Sequence, residues 1–253
     1  QLKNDLKSET KSLVAKWIPR EKSEKFGWIT ELLAISYYKD WYNNDLNKEL
    51  THIQISKARR KCLTHFRQTV SKINKSLETT QIYQCDLNWQ NINFDKNVTS
   101  ITMRKQSNAF RNVKKDGIIR SNNDDRIKCS ENYFKYIEEC NLGTKNIKGK
   151  RISIIDFVKD AIFCNDDIEK NIINLQWDNN SKDNNKLKNV IAMVDTSASM
   201  EQDNCQPLYS AIGLGIRIAE KSNFGKRVLT FSAEPNWINL DNLDFVETVK
   251  KIQ

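Results

Sequence analysis

The feature that most constrains this chain is a short continuous apolar run that stops abruptly on an acid. Asn189-Val190-Ile191-Ala192-Met193-Val194 leads straight into Asp195. A run this short, apolar on both faces, predicts a buried central strand. The downstream residues agree with that reading. A helix is expected from about Pro207, where proline occupies a permitted first-turn position. Its apolar stripe comprises Leu208, Ala211, Ile212, Gly215, Ile216 and Ala219. Gly213 and Gly215 weaken helix propensity and so predict close packing against a sheet. Arg227-Val228-Leu229-Thr230-Phe231-Ser232 reads as a second strand. Residues 237–240 read as a third, paired with the second across Ala233-Glu234-Pro235-Asn236. A last helix begins near Asp241, with Leu243, Val246, Val249 and Ile252 apolar. Strand, helix, strand, strand, helix is the opening of an α/β domain.

Upstream the pattern is helical. Only 7 Gly and 3 Pro occur in 253 residues, and scarce breakers favour long helices. Ser12 to Ile18 reads as a helix stopped by Pro19. A second is expected over Glu24 to Tyr38, with Phe26, Ile29, Leu33 and Tyr37 at helical spacing. A third is expected over Ser56 to Leu77, with one stripe of Cys62, Leu63, Phe66, Val70, Ile73 and Leu77. Asn88 to Asn97 reads as irregular chain anchored by Trp89, Ile92 and Phe94. Further helices are expected near 99–112, 129–141, 152–164 and 166–176, with a basic loop at Gly143 to Lys150. Asp178 to Asn189 is almost wholly polar and reads as a linker. The expected organisation is thus a basic helical region over 1–177, a polar linker over 178–189, and the first part of an α/β domain over 190–253. In class terms this is α+α/β: an all-helical bundle or HEAT-like array, then a truncated Rossmann-like sheet domain. No clean internal repeat is visible.

Charge is distributed unevenly. The chain carries 41 Lys+Arg against 32 Asp+Glu, a formal +9. Residues 1–177 hold 32 basic and 22 acidic side chains, and residues 178–253 hold 9 and 10. A basic excess confined to one region suggests an anionic partner there, nucleic acid ahead of a membrane surface, with RNA or another polyanion as the partner carried forward. The plainer reading is a solubilising surface. Candidate phosphate contacts are Arg59, Arg60, Lys61, Arg67 and Lys75, then Lys114, Lys115, Lys148, Lys150 and Arg151. Tyr37, Tyr38, Trp41 and Tyr42 would stack bases if exposed, although aromatic residues in helices are more often core. No signature of the common RNA-binding modules occurs.

Six cysteines without Cys-x-x-Cys spacing argue against a zinc site and for buried free thiols in a reducing compartment. No apolar run reaches spanning length and no signal peptide opens the chain. A cytoplasmic protein without membrane insertion is expected (host cytoplasm or virion, should the source be viral).

The chemistry-bearing motif is Asp195-Thr196-Ser197-Ala198-Ser199. It sits past the carboxyl end of the first strand, where open α/β sheets bind ligands. Alternating spacing lets one tight loop aim a carboxylate and two hydroxyls at one point. Hard oxygen donors suit Mg²⁺ or Mn²⁺. The competing reading is a strand-to-helix turn capped by Asp and Ser. Val194-Asp195-Thr196-Ser197-Ala198-Ser199-Met200 resembles the metal-ion-dependent adhesion site of von Willebrand A domains. The wider chain resembles an uncharacterised plant and giant-virus family with a helical region before such a domain. The matching stretches are Ala15-Lys16-Trp17-Ile18-Pro19-Arg20-Glu21-Lys22, Phe26-Gly27-Trp28, Phe110-Arg111 and Gly225 to Ser232. The architecture is also similar, more distantly, to the Ro autoantigen (TROVE) proteins, in which a helical ring binds RNA.

The resemblance implies Asp195, Ser197 and Ser199 as metal ligands and a protein partner at the metal-site face. It also implies a Thr and an Asp from later loops. None are reached before Gln253, so a fragment or a degenerate domain is expected, with Glu201 and Asp203 as nearby substitutes. Catalysis finds no support: His52 and His65 have no nucleophile in motif context, and no phosphate loop occurs. The expectation is a non-enzymatic binding protein. The alternative is a structural or assembly component, viral in origin, with a vestigial metal site.

Overall fold

The structure is a computed structural model that describes residues 1–9, 11–39, 51–182 and 186–253. Trp41 and Tyr42 lie outside the described residues. The chain forms two compact units, Gln1–Asn88 and Trp89–Gln253. It is mostly helical, with a small mixed sheet in its C-terminal part, in keeping with the α+α/β class.

The first unit contains α1 (Leu2–Lys7), α2 (Val14–Trp17), α3 (Gly27–Tyr37), α4 (His52–Ser76) and α5 (Thr80–Cys85). Helix α2 stops where expected. Ile18 is extended (ψ 127°), because Pro19 disfavours the α conformation in the residue before it. Helix α4 opens with a reciprocal capping box between Thr51 and Gln54, which satisfies two otherwise orphaned N–H groups. Its expected stripe is the buried one: Cys62, Phe66 and Ile73 are buried, and α2 and α3 pack against it. Seven Lys and Arg side chains and no acid occur within α4, so every Lys, Arg, Asp or Glu side chain that the helix itself carries is cationic.

The second unit contains α6 (Ser100–Phe110), α7 (Asp124–Asn141), α8 (Ile154–Phe163), α9 (Asp167–Ser181), β1 (Ala192–Asp195), α10 (Gln202–Lys221), β2 (Arg227–Phe231), β3 (Asn236–Asn239) and α11 (Phe245–Ile252). Among the described residues the strands form one sheet ordered β1-β2-β3. β1 pairs with β2 in parallel, with Val194 opposite Thr230. β2 pairs with β3 antiparallel, with Leu229 opposite Trp237. A parallel pair needs a crossover, and α10 supplies it. One sheet face carries Ala192, Val194 and Val228 into the core against α10. On the other face Met193, Phe231 and Trp237 are exposed. β1 is therefore buried on one face, where its apolar run predicts burial on two.

The predicted close approach to the sheet is present at Gly215, whereas Gly213 packs on helix α8 instead. A Cβ added at Gly215 would stand 2.3 Å from Val194 Cγ2, and one at Gly213 would stand 2.2 Å from Ile154 Cγ2. Helix α10 therefore lies closer to both β1 and α8 than any side chain would allow.

The polar stretch 178–189 departs from the linker expectation. Helix α9 runs on through Ser181. Its amides are not idle: Asn179 Oδ1 accepts the Gly149 N–H at 2.9 Å, and Asn180 Nδ2 donates to the Gly149 carbonyl at 3.1 Å. Arg217 Nη2 donates to Asn180 Oδ1 at 3.0 Å. Further on, Leu187 N–H donates to the Lys221 carbonyl at 2.8 Å. Residues 183–185 lie outside the described residues. At Asn179 and Asn180 the polar composition reflects hydrogen bonding inside the fold, which composition alone does not distinguish from solvation, whereas residues 186–189 are exposed.

The boundary between compact units also differs from the expected one, since it follows Asn88. Trp177 of α9 explains why. It is fully buried and stacks on Phe245 of α11 at 3.9 Å. Phe157 of α8 meets it edge-on at 5.4 Å, its indole N–H donates to Glu220 Oε1 at 2.8 Å, and the Arg217 guanidinium covers its face at 3.7 Å. Helices α8 and α9 thus form one core with the sheet and α11.

Candidate functional site

The Asp195-Thr196-Ser197-Ala198-Ser199 motif sits where the sequence places it. Thr196 N–H donates to the Phe231 carbonyl at 2.9 Å, extending the β1–β2 ladder one residue past Asp195. The chain then turns. Ser197 N–H donates to Asp195 Oδ1 at 2.9 Å. The Ser197 hydroxyl and then its N–H, both hydrogen-bonded to the carboxylate, hold Asp195 below the usual carboxylate range. Ser197 Oγ and Ser199 Oγ are 2.9 Å apart. Asp195 and Ser197 are half-buried and Ser199 is exposed. Residues 198–201 form one 3-10 turn, with Met200 N–H donating to the Ser197 carbonyl at 2.9 Å. The loop therefore gathers all three predicted oxygen-bearing side chains.

The set fits a small hard cation. Octahedral Mg²⁺ holds its oxygens at roughly 2.0–2.1 Å, which places neighbouring ligands about 2.9 Å apart. The two hydroxyls stand at that separation through the hydrogen bond they share. Asp195, Glu201 and Asp203 do not form a carboxylate trio: among the described residues no three His, Cys, Asp or Glu side chains cluster in a metal-holding arrangement. The donors are one carboxylate and two hydroxyls.

Beyond the turn, Asp203, Asn204 and Cys205 adopt φ of 51°, 58° and 60°. Consecutive left-handed residues without glycine are strained, at about 1–3 kcal/mol each. Regular helical dihedrals of α10 begin after Cys205, close to the expected start at Pro207.

The predicted basic residues fall in both units. On α4, Arg59 pairs with Glu31, and Arg67 makes a two-pronged pair with Glu21, Nη2 to Oε2 at 2.6 Å. Arg60, Lys61 and Lys75 are exposed. In the second unit Lys114, Lys115, Lys150 and Arg151 are exposed. Lys148 is half-buried and donates to the Lys96 carbonyl at 3.0 Å, and burial pushes its pKa down. Its ammonium is committed to the fold. Tyr37 packs edge-on to Phe66 at 6.0 Å, and the Tyr38 hydroxyl bonds Thr69 Oγ1 at 2.8 Å. Both tyrosines serve packing, the commoner of the two roles weighed for them.

One feature escapes motif reading altogether. A cavity of about 720 Å³ in the first unit is lined by Lys16, Arg20, Lys22 and Arg67 around an apolar wall. The signal in sequence was the run of cations flanking Ile18-Pro19.

All six cysteines are free; Cys62, Cys129, Cys140 and Cys164 are buried. Among the described residues no helix is long and apolar enough to cross a membrane.

Comparison with known proteins places these features among relatives. Residues 189–253 match a family model described as a domain of unknown function (DUF7788). The chain is similar to the uncharacterized protein L728 of Acanthamoeba polyphaga mimivirus, 29% identical over 191 residues, covering 73% of this chain and 32% of that protein. The chain thus spans about a third of the length of the curated relative it matches. Kinship with an uncharacterised giant-virus protein agrees with the resemblance drawn from the sequence. No solved structure matches the chain.

Proposed function

We propose that this chain is a non-enzymatic binding protein with two working surfaces. In a von Willebrand A-like half, Asp195, Ser197 and Ser199 hold Mg²⁺ or Mn²⁺ at the end of β1, where a protein partner docks. In the helical part, exposed cations meet RNA. The observation that carries the metal half is the convergence of three hard oxygens, two of them 2.9 Å apart, just past a parallel strand. When bound, the ion supplies a hard positive centre with open positions that an acidic side chain of the partner can fill. Asp195, kept ionised by its bonds to Ser197, is the charged anchor of the set. The RNA half is supported by α4, which carries seven cations and no acid. Such a face gives salt-sensitive, sequence-independent affinity for a phosphate backbone. Free thiols throughout support a cytoplasmic setting.

The test is thermal. Millimolar Mg²⁺ is expected to raise the melting temperature of the 253-residue chain through binding to the folded state, and Asp195→Ala to abolish that rise. An equal rise in the variant refutes the metal site. For the RNA half, filter binding is expected to weaken steeply with salt, and an absence of retention at low salt removes it. One observation favours a second reading, an assembly component with a vestigial metal site: Met193, Phe231 and Trp237 stand exposed on the free sheet face. Co-purification with particles in fixed stoichiometry is its expected mark.

A further inference from the structure

We infer that the cavity of the first unit is a nucleotide site, taking a base on its apolar wall and phosphates on Lys16, Arg20 and Lys22. The inference rests on the proposed polyanion binding for the class of ligand, and adds the place and the mode of recognition.

The cavity is built by the stretch 15–22, by Thr30 of α3, and by one face each of α4 and α5. Its volume of about 720 Å³ falls within the roughly 300–1,000 Å³ of small-ligand sites. The stretch 15–22 is fixed from several sides. Thr30 Oγ1 donates to the Pro19 carbonyl at 2.5 Å, and Asn74 Nδ2 donates to the Ala15 carbonyl at 3.3 Å. Arg67 clamps Glu21 through both carboxylate oxygens. A Cβ at Gly27 would come within 2.3 Å of the Glu21 carbonyl oxygen, so only glycine lets the start of α3 lie this close. The wall is therefore preformed, which lowers the ordering cost of binding.

The lining has three parts. Ile18, Pro19, Phe66, Val70 and Ile82 form the apolar wall. Lys16, Arg20 and Lys22 are exposed cations on the lining, without an ion pair among the described residues. Glu21, the one acid, is neutralised by Arg67. Ser71, Thr79 and Gln81 complete the lining with side chains that have no hydrogen-bond partner among the described residues. A bare anion would leave the apolar wall unused. A purely apolar ligand would leave the three cations to solvent and their charge unused. A nucleotide engages all three parts: base on the wall, sugar and base edges on Ser71, Thr79 and Gln81, phosphates on the cations. The second cationic groove on α4, with Lys72 and Lys75, shares Arg67 and Ser71 with this cavity, so a strand of RNA can continue along it. Free nucleotide and RNA present the same unit, and the experiment separates them.

Fluorescence anisotropy of a labelled oligouridylate 12-mer is measured on the 253-residue chain, with ATP, AMP, pyrophosphate and polyglutamate as competitors. AMP and ATP are expected to displace the oligomer. Arg20→Ala/Lys22→Ala is expected to weaken oligomer and ATP binding at least tenfold. Lys186→Ala/Lys188→Ala, exposed in the other unit and outside the helical region, is expected to change ATP binding less than twofold. Pyrophosphate or polyglutamate competing as well as AMP overturns the inference, because the wall then contributes nothing. An oligomer that binds but resists AMP and ATP, with Arg20→Ala/Lys22→Ala unchanged, also overturns it and leaves RNA binding standing. ATP bound in a manner sensitive to Arg20→Ala/Lys22→Ala, with no oligomer retained, supports the cavity as a free-nucleotide site and removes the RNA reading. Binding of neither overturns both.

Discussion

Replacing Gly215 by alanine pits two effects of opposite sign against each other. Gly215 lies inside α10, where glycine costs about 1 kcal/mol of helix propensity relative to alanine. At an open position the change would stabilise by that amount. Here the new Cβ meets Val194 Cγ2 at 2.3 Å, whereas carbon atoms in contact sit at about 3.5–4.0 Å. The gap to be opened exceeds 1 Å by that comparison. Val194 is 1% exposed and β-branched, so it cannot rotate aside cheaply. Overpacking of this kind costs about 1–3 kcal/mol. Overpacking wins, for a net loss of about 1 kcal/mol and at most about 2. At about 2–4 °C per kcal/mol for a unit of this size, the melting temperature falls by several degrees.

Urea unfolding of wild type, Gly215→Ala, Val194→Ala and the double variant separates the effects. Val194→Ala alone costs about 2 kcal/mol from the lost methyls and the cavity left behind. In the double variant the alanine Cβ occupies that cavity, so the double loss falls short of the sum by about 1–2 kcal/mol. Additivity within about 0.5 kcal/mol, or a Gly215→Ala protein stabilised by the full propensity gain, refutes the close approach of α10 to β1. The contact also bears on the site, since Val194 immediately precedes Asp195. A displaced α10 is expected to weaken the Mg²⁺ response in proportion.

Two further outcomes test the fold. A fragment beginning at residue 89 is expected to unfold cooperatively, whereas one beginning at residue 186 is not, because it lacks Phe157, Val158 and Trp177 of the shared core; a sharp denaturant transition in the shorter fragment would exclude that core as described. In thiol labelling of the native chain, exposed Cys85 is expected to react first and Cys62, Cys129, Cys140 and Cys164 only on unfolding. Burial raises the Cys129 thiol from 9.0 to about 11. Its folded value thus exceeds the unfolded one, so its contribution is full below pH 9 and lost as pH rises toward about 11. A Cys129→Ala protein with the same alkaline loss of stability would contradict this assignment.

The elements and the motif were legible in the amino-acid sequence. Pro19 stops α2, the α4 stripe faces inward, and the run ending at Val194 becomes a strand because local propensity and burial agree there. Asp195, Ser197 and Ser199 converge because they lie within one turn, so their geometry is local. Gly213 and Gly215 announced close packing against a sheet, which Gly215 makes on Val194 while Gly213 packs on Ile154 of a helix.

The remainder came from the packing of distant segments. Asp178 to Asn189 reads as a linker, yet its amides bond Gly149 and Arg217 across long stretches of chain. Composition cannot say whether a polar side chain is answered by water or by a distant backbone. The division after Asn88 depends on Trp177 stacking on Phe245, 68 positions later. The cavity of the first unit needs α4 and α5 to close against residues 15–22. Short-range pattern fixes what each segment becomes; which segments share a core depends on non-local contacts that no single window of sequence contains.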